Sequence, residues 1–509
     1  MALIDSLKSL PRLINRDLFS LETVKRLFQP ERFKEVTGSE LFYQLTYMSA
    51  IASSGLSRHR IFTMAAELPI PPADYFARIQ LFVQKLGYDY TKACNAVGLT
   101  VKSEVMTSLL LRMGNAFTAG QLERDFLAEE ALITGEIYEK EYERDLASLT
   151  KWTDAFAAIT VSATLIVIIN MTSSLIQHMG DGLLIGLVLT AVATSGITGW
   201  VLSRAAPKEV IDLFTEEGPW AQRYALALRY YSSAGAAMAA ALFMLMGMAP
   251  GWTLILCALI LLPLGVFALL AGREIDRKDR EFGPFLRSLG AMAVSTGTTI
   301  GEATTRIDIS SFPALEPDLL RLRRRLAAAL EPEMCWRRFA VETGSKLIGE
   351  TVKVFNDAVK LGADPDVVAF RCADFSSRTI LLRAKRKVTA STFTWLTVVM
   401  HGVVSGLLVL VYEIVKNFVV LLDKATAELD MSAVNSSGAS VPVFSAPNVE
   451  FFRMTVLAMV VIMAGINAYS ISATDGGHMT KVAFYLALML IMSGVCLLFL
   501  PGVVEGILQ

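Results

Sequence analysis

No Gly-Lys dipeptide occurs anywhere in the 509 residues, so the G-x-x-x-x-G-K-S/T loop that cradles nucleotide phosphates cannot form. ATP hydrolysis by that route is excluded. The four histidines, His59, His178, His401 and His478, are too dispersed for an H-E-x-x-H or similar zinc site, and each reads as structural or interfacial. No serine sits in a G-x-S-x-G elbow. Five cysteines (Cys94, Cys257, Cys335, Cys372, Cys496) carry no C-x-x-C spacing, which argues against both a disulfide framework and a zinc site. No cofactor is implied, the chain reads as non-enzymatic, and no nucleic-acid partner is expected.

Charge is also missing where apolar residues run longest. Seven stretches hold no Asp, Glu, Lys or Arg: Ala155 to Ile176, Gly182 to Leu202, Tyr231 to Met248, Trp252 to Ala271, Ser391 to Tyr412, Met454 to Ile471 and Val482 to Val503. A bilayer core about 30 Å thick takes about 20 apolar residues per helix, so each is a candidate span, the third and sixth being short. With 53% hydrophobic residues and a mean hydropathy of +0.49, the chain reads as all-α: a polytopic helical membrane protein of about seven transmembrane helices. Met1 to Arg60 lacks an uninterrupted apolar core, so the first span is expected to act as the insertion signal.

Basic residues resist translocation when they lie in short loops or beside span ends. Of 47 Lys and Arg, 44 fall before the first span, between Ser203 and Tyr230, between Gly272 and Ala390, or at Lys481. The opposite side, including the polar loop from Leu422 to Val449 with its Asn435-Ser436-Ser437, is almost free of them. The expected topology places the N-terminus and both large charged blocks in the cytoplasm of a multi-pass inner membrane protein, with Gln509 outside. The outer loop reads as a tether or as a contact surface on the outer side.

The two charged blocks repeat each other. At an offset of 242 residues Ser53-Ser54-Gly55 falls on Ser295-Thr296-Gly297, Ala116 on Ala358 and Gly120 on Gly362, and the spans near Trp152 and Thr394 coincide. Apolar spacings of three and four make both blocks helical, with Ser57 and Thr299 as matching N-caps and Asp364-Pro365 as a cap with a first-turn proline. The last helix of each block, from Gln121 and from Pro365, is expected to continue into the membrane. The implied organisation is an N-terminal segment (1–38), a first cytoplasmic helical domain (39–151), four spans (152–271), a second cytoplasmic helical domain (272–389) and three spans (390–509) with an external loop near 423–450. Gly55, Gly120, Gly297 and Gly362 mark the repeated turns.

The copies differ in charge. Residues 123–144 of the first are rich in Glu and Asp, whereas the second carries Arg321, Arg323, Arg324, Arg325, Arg337 and Arg338. Such stripes steer partners. They equally serve as solvated faces, as contacts with lipid headgroups, or as partners of one another. Gly182 and Gly186, Gly402 and Gly406, and Gly235 to Ala240 permit close packing within one chain or between two copies in a homodimer. Glu413, Lys416 and Asn417 form a charged group at the outer end of the fifth span.

The opening helix Leu41 to Ser54, taken as amphipathic, with its Ser-Gly turn, its counterpart Phe285 to Thr296, and the stretches Asn115 to Gly120 and Asp357 to Gly362 together resemble the type II secretion F-domain family. The resemblance covers roughly half of the chain and rests on order and duplication rather than on any one residue. The bacterial secretion and pilus members have about three spans, so seven point to the branch serving the archaellum or archaeal type IV pili. The resemblance implies an assembly platform on which a cytoplasmic hexameric ATPase docks, passing pilin or archaellin subunits from the bilayer into a filament. The ATPase-facing groups would be Arg273, Arg277, Lys278, Arg280, Arg321, Arg323, Arg324 and Arg325, with Arg337 and Arg338 beside them. The alternatives are a transporter or channel, which the charge-free spans disfavour, and a signalling receptor, for which no kinase or cyclase pattern is present.

Overall fold

A computed structural model of the chain describes residues 36–173, 181–213, 217–428 and 449–508. The expected N-terminal segment lies almost wholly outside the described residues, as do His178 and most of the outer loop with its Asn435-Ser436-Ser437. The chain divides into two compact units, Met1–Thr134 and Gly135–Gln509. It is helical throughout, with no strand among the described residues and only an isolated antiparallel bridge, Asp212 to Ser345.

The first unit holds α1 (Gly38–Ala52), α2 (Arg58–Ala66), α3 (Pro71–Leu86), α4 (Tyr90–Gly98), α5 (Glu104–Thr118) and the first turns of α6 (Glu123–Ser173). A reciprocal capping box starts α1, where the Thr37 hydroxyl accepts from Glu40 N–H and the Glu40 carboxylate accepts from Thr37 N–H. The sequence reading of α1 as amphipathic is corrected: Leu41 through Ala52 are buried on every face, Gln44, Thr46 and Ser49 among them, so no solvent-facing polar stripe remains. Pro71 and Pro72 open α3, and Gly87 closes it in the left-handed region. Tyr47, Phe62 and Phe76 fill the core.

The second unit takes up α6 from Gly135 and continues with α7 (Asp181–Ala205), α8 (Trp220–Leu245) and α9 (Pro250–Thr296). The lower half of α9 packs with α10 (Ile300–Arg306), α11 (Glu316–Ala327), α12 (Pro332–Thr343) and α13 (Lys346–Lys360) to form a second helical lobe. Next come α14 (Pro365–Glu428), α15 (Val449–Asp475) and α16 (Val482–Leu508). Helix α13 shows why this lobe folds: Leu347, Ile348, Thr351, Val352, Phe355 and Ala358 recur at helical spacing and are all buried. Phe282, Phe285, Phe339 and Phe355 are enclosed, each contributing about 2 kcal/mol of burial.

Element boundaries keep one offset between the lobes. Helices α2, α4, α5 and α6 begin 242 residues before α10, α12, α13 and α14, and α5 and α13 also end at that offset. The turns agree as well, since Gly55, Gly120, Gly297 and Gly362 all have positive φ, 75°, 74°, 60° and 88°. Thr299 caps α10 by accepting from Glu302 N–H, whereas Ser57 stands at the matching place without a side-chain bond.

Among the described residues six helices are long and apolar enough to cross a membrane: α6, α7, α9, α14, α15 and α16. The expected third span is not among them. Helix α8 stops at Leu245, before a left-handed Gly247, and Arg229 precedes its charge-free stretch, leaving fewer apolar helical residues than the about 20 a bilayer core takes. It nonetheless runs antiparallel along the apolar half of α9, with Trp220 and Tyr224 against Phe267 and the Cys257 thiol donating to Ala236 C=O. The closest packing is between α9 and α16. A Cβ on Gly251 would lie 2.9 Å from Gly494 O, and one on Gly494 2.9 Å from Gly251 O. One on Gly265 would strike the Phe484 backbone. Gly402 meets Met492, but a Cβ on Gly182 or Gly186, read from the sequence as packing positions, would meet nothing within 4 Å outside its own helix among the described residues.

Candidate functional site

The sequence-selected basic residues separate into three groups. Lys278 faces inward, 4% exposed, and its ammonium pairs with Glu274 and Asp318, both at 2.9 Å. Burial raises the Asp318 carboxyl above its ordinary range, with Lys278 opposing. Lys278 therefore belongs to the core of the lobe and not to a docking surface. Glu342 on α12 gathers a second group: Arg325 binds it with both terminal nitrogens, Arg321 reaches it at 3.2 Å while also pairing with Asp318, and Arg338 stands 3.6 Å away. Burial pushes the Glu342 carboxyl up, and the hydrogen bonds and charges of Arg325 and Arg321 outweigh it, holding the group below its usual range. Much of the basic stretch thus closes on its own lobe.

Arg323, Arg324 and Arg337 make no ion pair within 4 Å among the described residues, and Arg324 and Arg337 are exposed. These are the groups of α11 and α12 left to meet a partner. On α9, Arg273, Arg277 and Arg280 are exposed, Arg280 bonding back to Asp276 C=O. The acidic stretch is likewise engaged: Glu123 pairs with Arg58, Glu130 with Arg112, and Glu139 and Glu143 with Lys385.

A denser site lies where the second lobe meets the apolar helices. Four cations fall within five residues of α14, and a helix turns about 100° per residue, so they fan out around it. Arg383 binds Glu209 at 2.7 Å and Asp279 of α9 at 2.8 Å. Lys385 meets Glu143 of α6, and Lys387 meets Asp276 of α9. Arg386, 4% exposed, donates to Ala473 and Thr474 C=O at the end of α15 and to Pro207 C=O, each at 2.9 Å. Those carbonyls would otherwise be orphaned at a buried helix terminus. Breaking the buried Arg383–Asp279 pair from one side costs about 3–5 kcal/mol. The collar ties α14 to α6, α9, α15 and the 206–213 connector.

The connector is stitched to the lobe as well. Leu213 N–H donates to Gly344 C=O and Lys346 N–H to Ile211 C=O. Ser345 caps α13 through Ile348 N–H and donates to Asp279. Burial raises the Asp212 carboxyl beside this bridge, with the Lys481 charge opposing. Glu143 and Lys385 stand 242 residues apart, the offset that also separates the matching helix starts, and, carrying opposite charge, they touch each other.

Within the apolar layer, His401 is 1% exposed, its Nε2 within 2.9 Å of Ser493 Oγ and its Nδ1 within 3.2 Å of Asn467 Nδ2. This links α14, α15 and α16, consistent with the structural reading of the histidine. Glu413 and Lys416 pair at 3.0 Å, and Asn417 donates to Glu413 C=O. All five cysteines are free. No cluster of three or more His, Cys, Asp and Glu is placed to hold a metal among the described residues.

Arg386, Glu209, Asp279 and Glu342 were hardly legible in the sequence, because their partners lie up to 179 residues away. The charge density of Arg383 to Lys387 beside a span was the available signal.

Two curated proteins resemble the chain over most of its length. The Flagella accessory protein J of Methanocaldococcus jannaschii is 21% identical over 415 residues, 79% of this chain and 72% of that protein. The Flagella accessory protein J of Methanococcus voltae is 22% identical over 455 residues, 86% of this chain and 79% of that protein. No family model and no solved structure matches.

Proposed function

We propose that this chain is the membrane platform of an archaellum or archaeal pilus machine, receiving a cytoplasmic hexameric ATPase and handing filament subunits from the bilayer to the growing base. One observation carries the reading: two helical lobes of the same element order each end in a helix, α6 or α14, that runs unbroken into an apolar segment, and these two helices pair through Glu143 and Lys385. Likeness to two flagella accessory proteins supports it.

On this reading residues 39–151 and 272–389 are two copies of one cytoplasmic domain, carried by four and then three spans. Helix α8 is the third span. It lies alongside the apolar half of α9 from Trp220 to Ala236, so where α9 crosses, α8 crosses with it. Arg229 then stands near the inner edge, where its side chain snorkels toward the headgroups. Seven crossings leave both lobes inside and Gln509 outside. The collar on α14 makes lobe and membrane helices move as one, which is what a platform driven by an ATPase stroke requires. A transporter reading gains nothing from His401, whose ring nitrogens are engaged by Ser493 and Asn467.

The outward arginines are the ones to test. Reversing Arg323, Arg324 and Arg337 to Glu should weaken retention of the ATPase in a pull-down from host membranes and abolish filaments, with membrane insertion intact. Unchanged retention removes these residues from the docking face.

A further inference from the structure

The second lobe carries an open groove of about 740 Å³, within the size range of ligand clefts. Its accessible apolar lining includes Ile300, Leu326, Leu330 and Val359, with the buried Trp336 and Phe355 beneath, and its charged lining is Glu302, Glu331 and Glu333 against a single Lys360. Glu302 pairs with Arg306 at 2.6 Å and Glu333 with Lys360 at 2.6 Å. Glu331 is exposed and has no ion pair within 4 Å among the described residues. The groove sits at the end of the lobe where α10 begins and α13 ends.

The duplication supplies an internal control. At the matching positions of the first lobe, His59 is bonded to the Tyr90 hydroxyl at 2.8 Å, and the Arg58 guanidinium covers the Phe117 ring at 3.9 Å. Tyr90 also lies 4.9 Å from Phe62. In the second lobe these positions hold Gly301 for His59, Pro332 for Tyr90, Ile300 for Arg58 and Val359 for Phe117, so the side chains that plug the site are gone. The lip of the groove keeps the backbone of its twin at a cost. Gly87 in the first lobe has φ 66°, and its counterpart Ala329 has φ 54°, the one non-glycine with positive φ among the described residues. A non-glycine held there is strained, and such strain is found at binding sites.

We propose that this groove is a docking site for a cationic amphipathic helix of a cytoplasmic protein, its apolar face laid over Leu330 and Val359 and a Lys or Arg set against Glu331. Helices dock this way when an apolar floor has a charged rim of opposite sign. The inference rests on the proposed cytoplasmic placement of the lobe. The binding measurement below reads the groove whichever way it faces, so each can fail without the other.

The test uses the full chain in phosphatidylcholine nanodiscs and two labelled helical peptides, one of leucine and lysine, one of leucine and glutamate, followed by fluorescence anisotropy. The cationic peptide should bind, and bind roughly tenfold more weakly both to Glu331→Lys and to a variant that restores the plug, Gly301→His with Pro332→Tyr and Val359→Phe. The anionic peptide should bind only the Glu331→Lys protein. Equal affinity across all variants, or binding equal to that of empty nanodiscs, overturns the proposal. So does self-association of the chain that the plug variant abolishes, because the occupant would then be a second copy.

Discussion

At the scale of single residues, the structure distinguishes charges that hold the fold from charges free to act. Burial raises the Asp212 carboxyl against the opposing Lys481 charge, so the folded chain holds this proton more tightly than the unfolded chain. Its contribution to stability is therefore fullest at low pH and is lost as pH rises from about 4 through its folded value. Asp212→Asn should stabilise the protein at pH 7, with the gain over wild type vanishing toward about pH 4; thermal unfolding in detergent across that range reads it. Ala329→Gly should raise stability by about 1 kcal/mol in the same assay, because glycine accepts a positive φ that alanine resists. A leucine at Gly265 has to displace the Phe484 backbone, and overpacking of this kind costs about 1–3 kcal/mol. Little of this was legible in the sequence. Gly251 and Gly494 have no glycine four residues away in their own helices, because their partner lies across the α9–α16 contact, and Glu342 collects arginines that read as outward from the sequence.

At the scale of elements, sequence and structure agree where local chemistry decides. The left-handed glycines, Thr299 and Asp364-Pro365 were visible as turn and cap signals, since each acts on backbone within one or two turns. Helix α8 differed because the length of its apolar run is set by Gly247 and Arg229 together, and its route is set by packing on α9. The pairing of α6 with α14 is the element-level claim most open to attack. Glu143→Lys places like charges at Lys385 and should depress filament assembly, while the double exchange with Lys385→Glu should restore it. Failure of the double variant to recover, with both proteins inserted at wild-type levels, would show that the contact does not matter to function. Arg386→Met leaves the Ala473, Thr474 and Pro207 carbonyls without their donor, and should destabilise the membrane set by about 3 kcal/mol, read as earlier loss of compactness on heating.

At the scale of the whole molecule, the account holds that one helical lobe was used twice and that both versions hang on the same side of the bilayer, presented to a cytoplasmic engine. The order of elements was readable from the sequence because repetition needs no knowledge of contacts. The contact of Glu143 with Lys385 was not, since only coordinates show that the two touch. The most direct measurement is the sidedness of the two lobes: single cysteines at the exposed positions Arg124 and Arg324, probed with a membrane-impermeant maleimide in intact and in permeabilised cells. The account predicts that both react only after permeabilisation; reaction of either one in intact cells would contradict it.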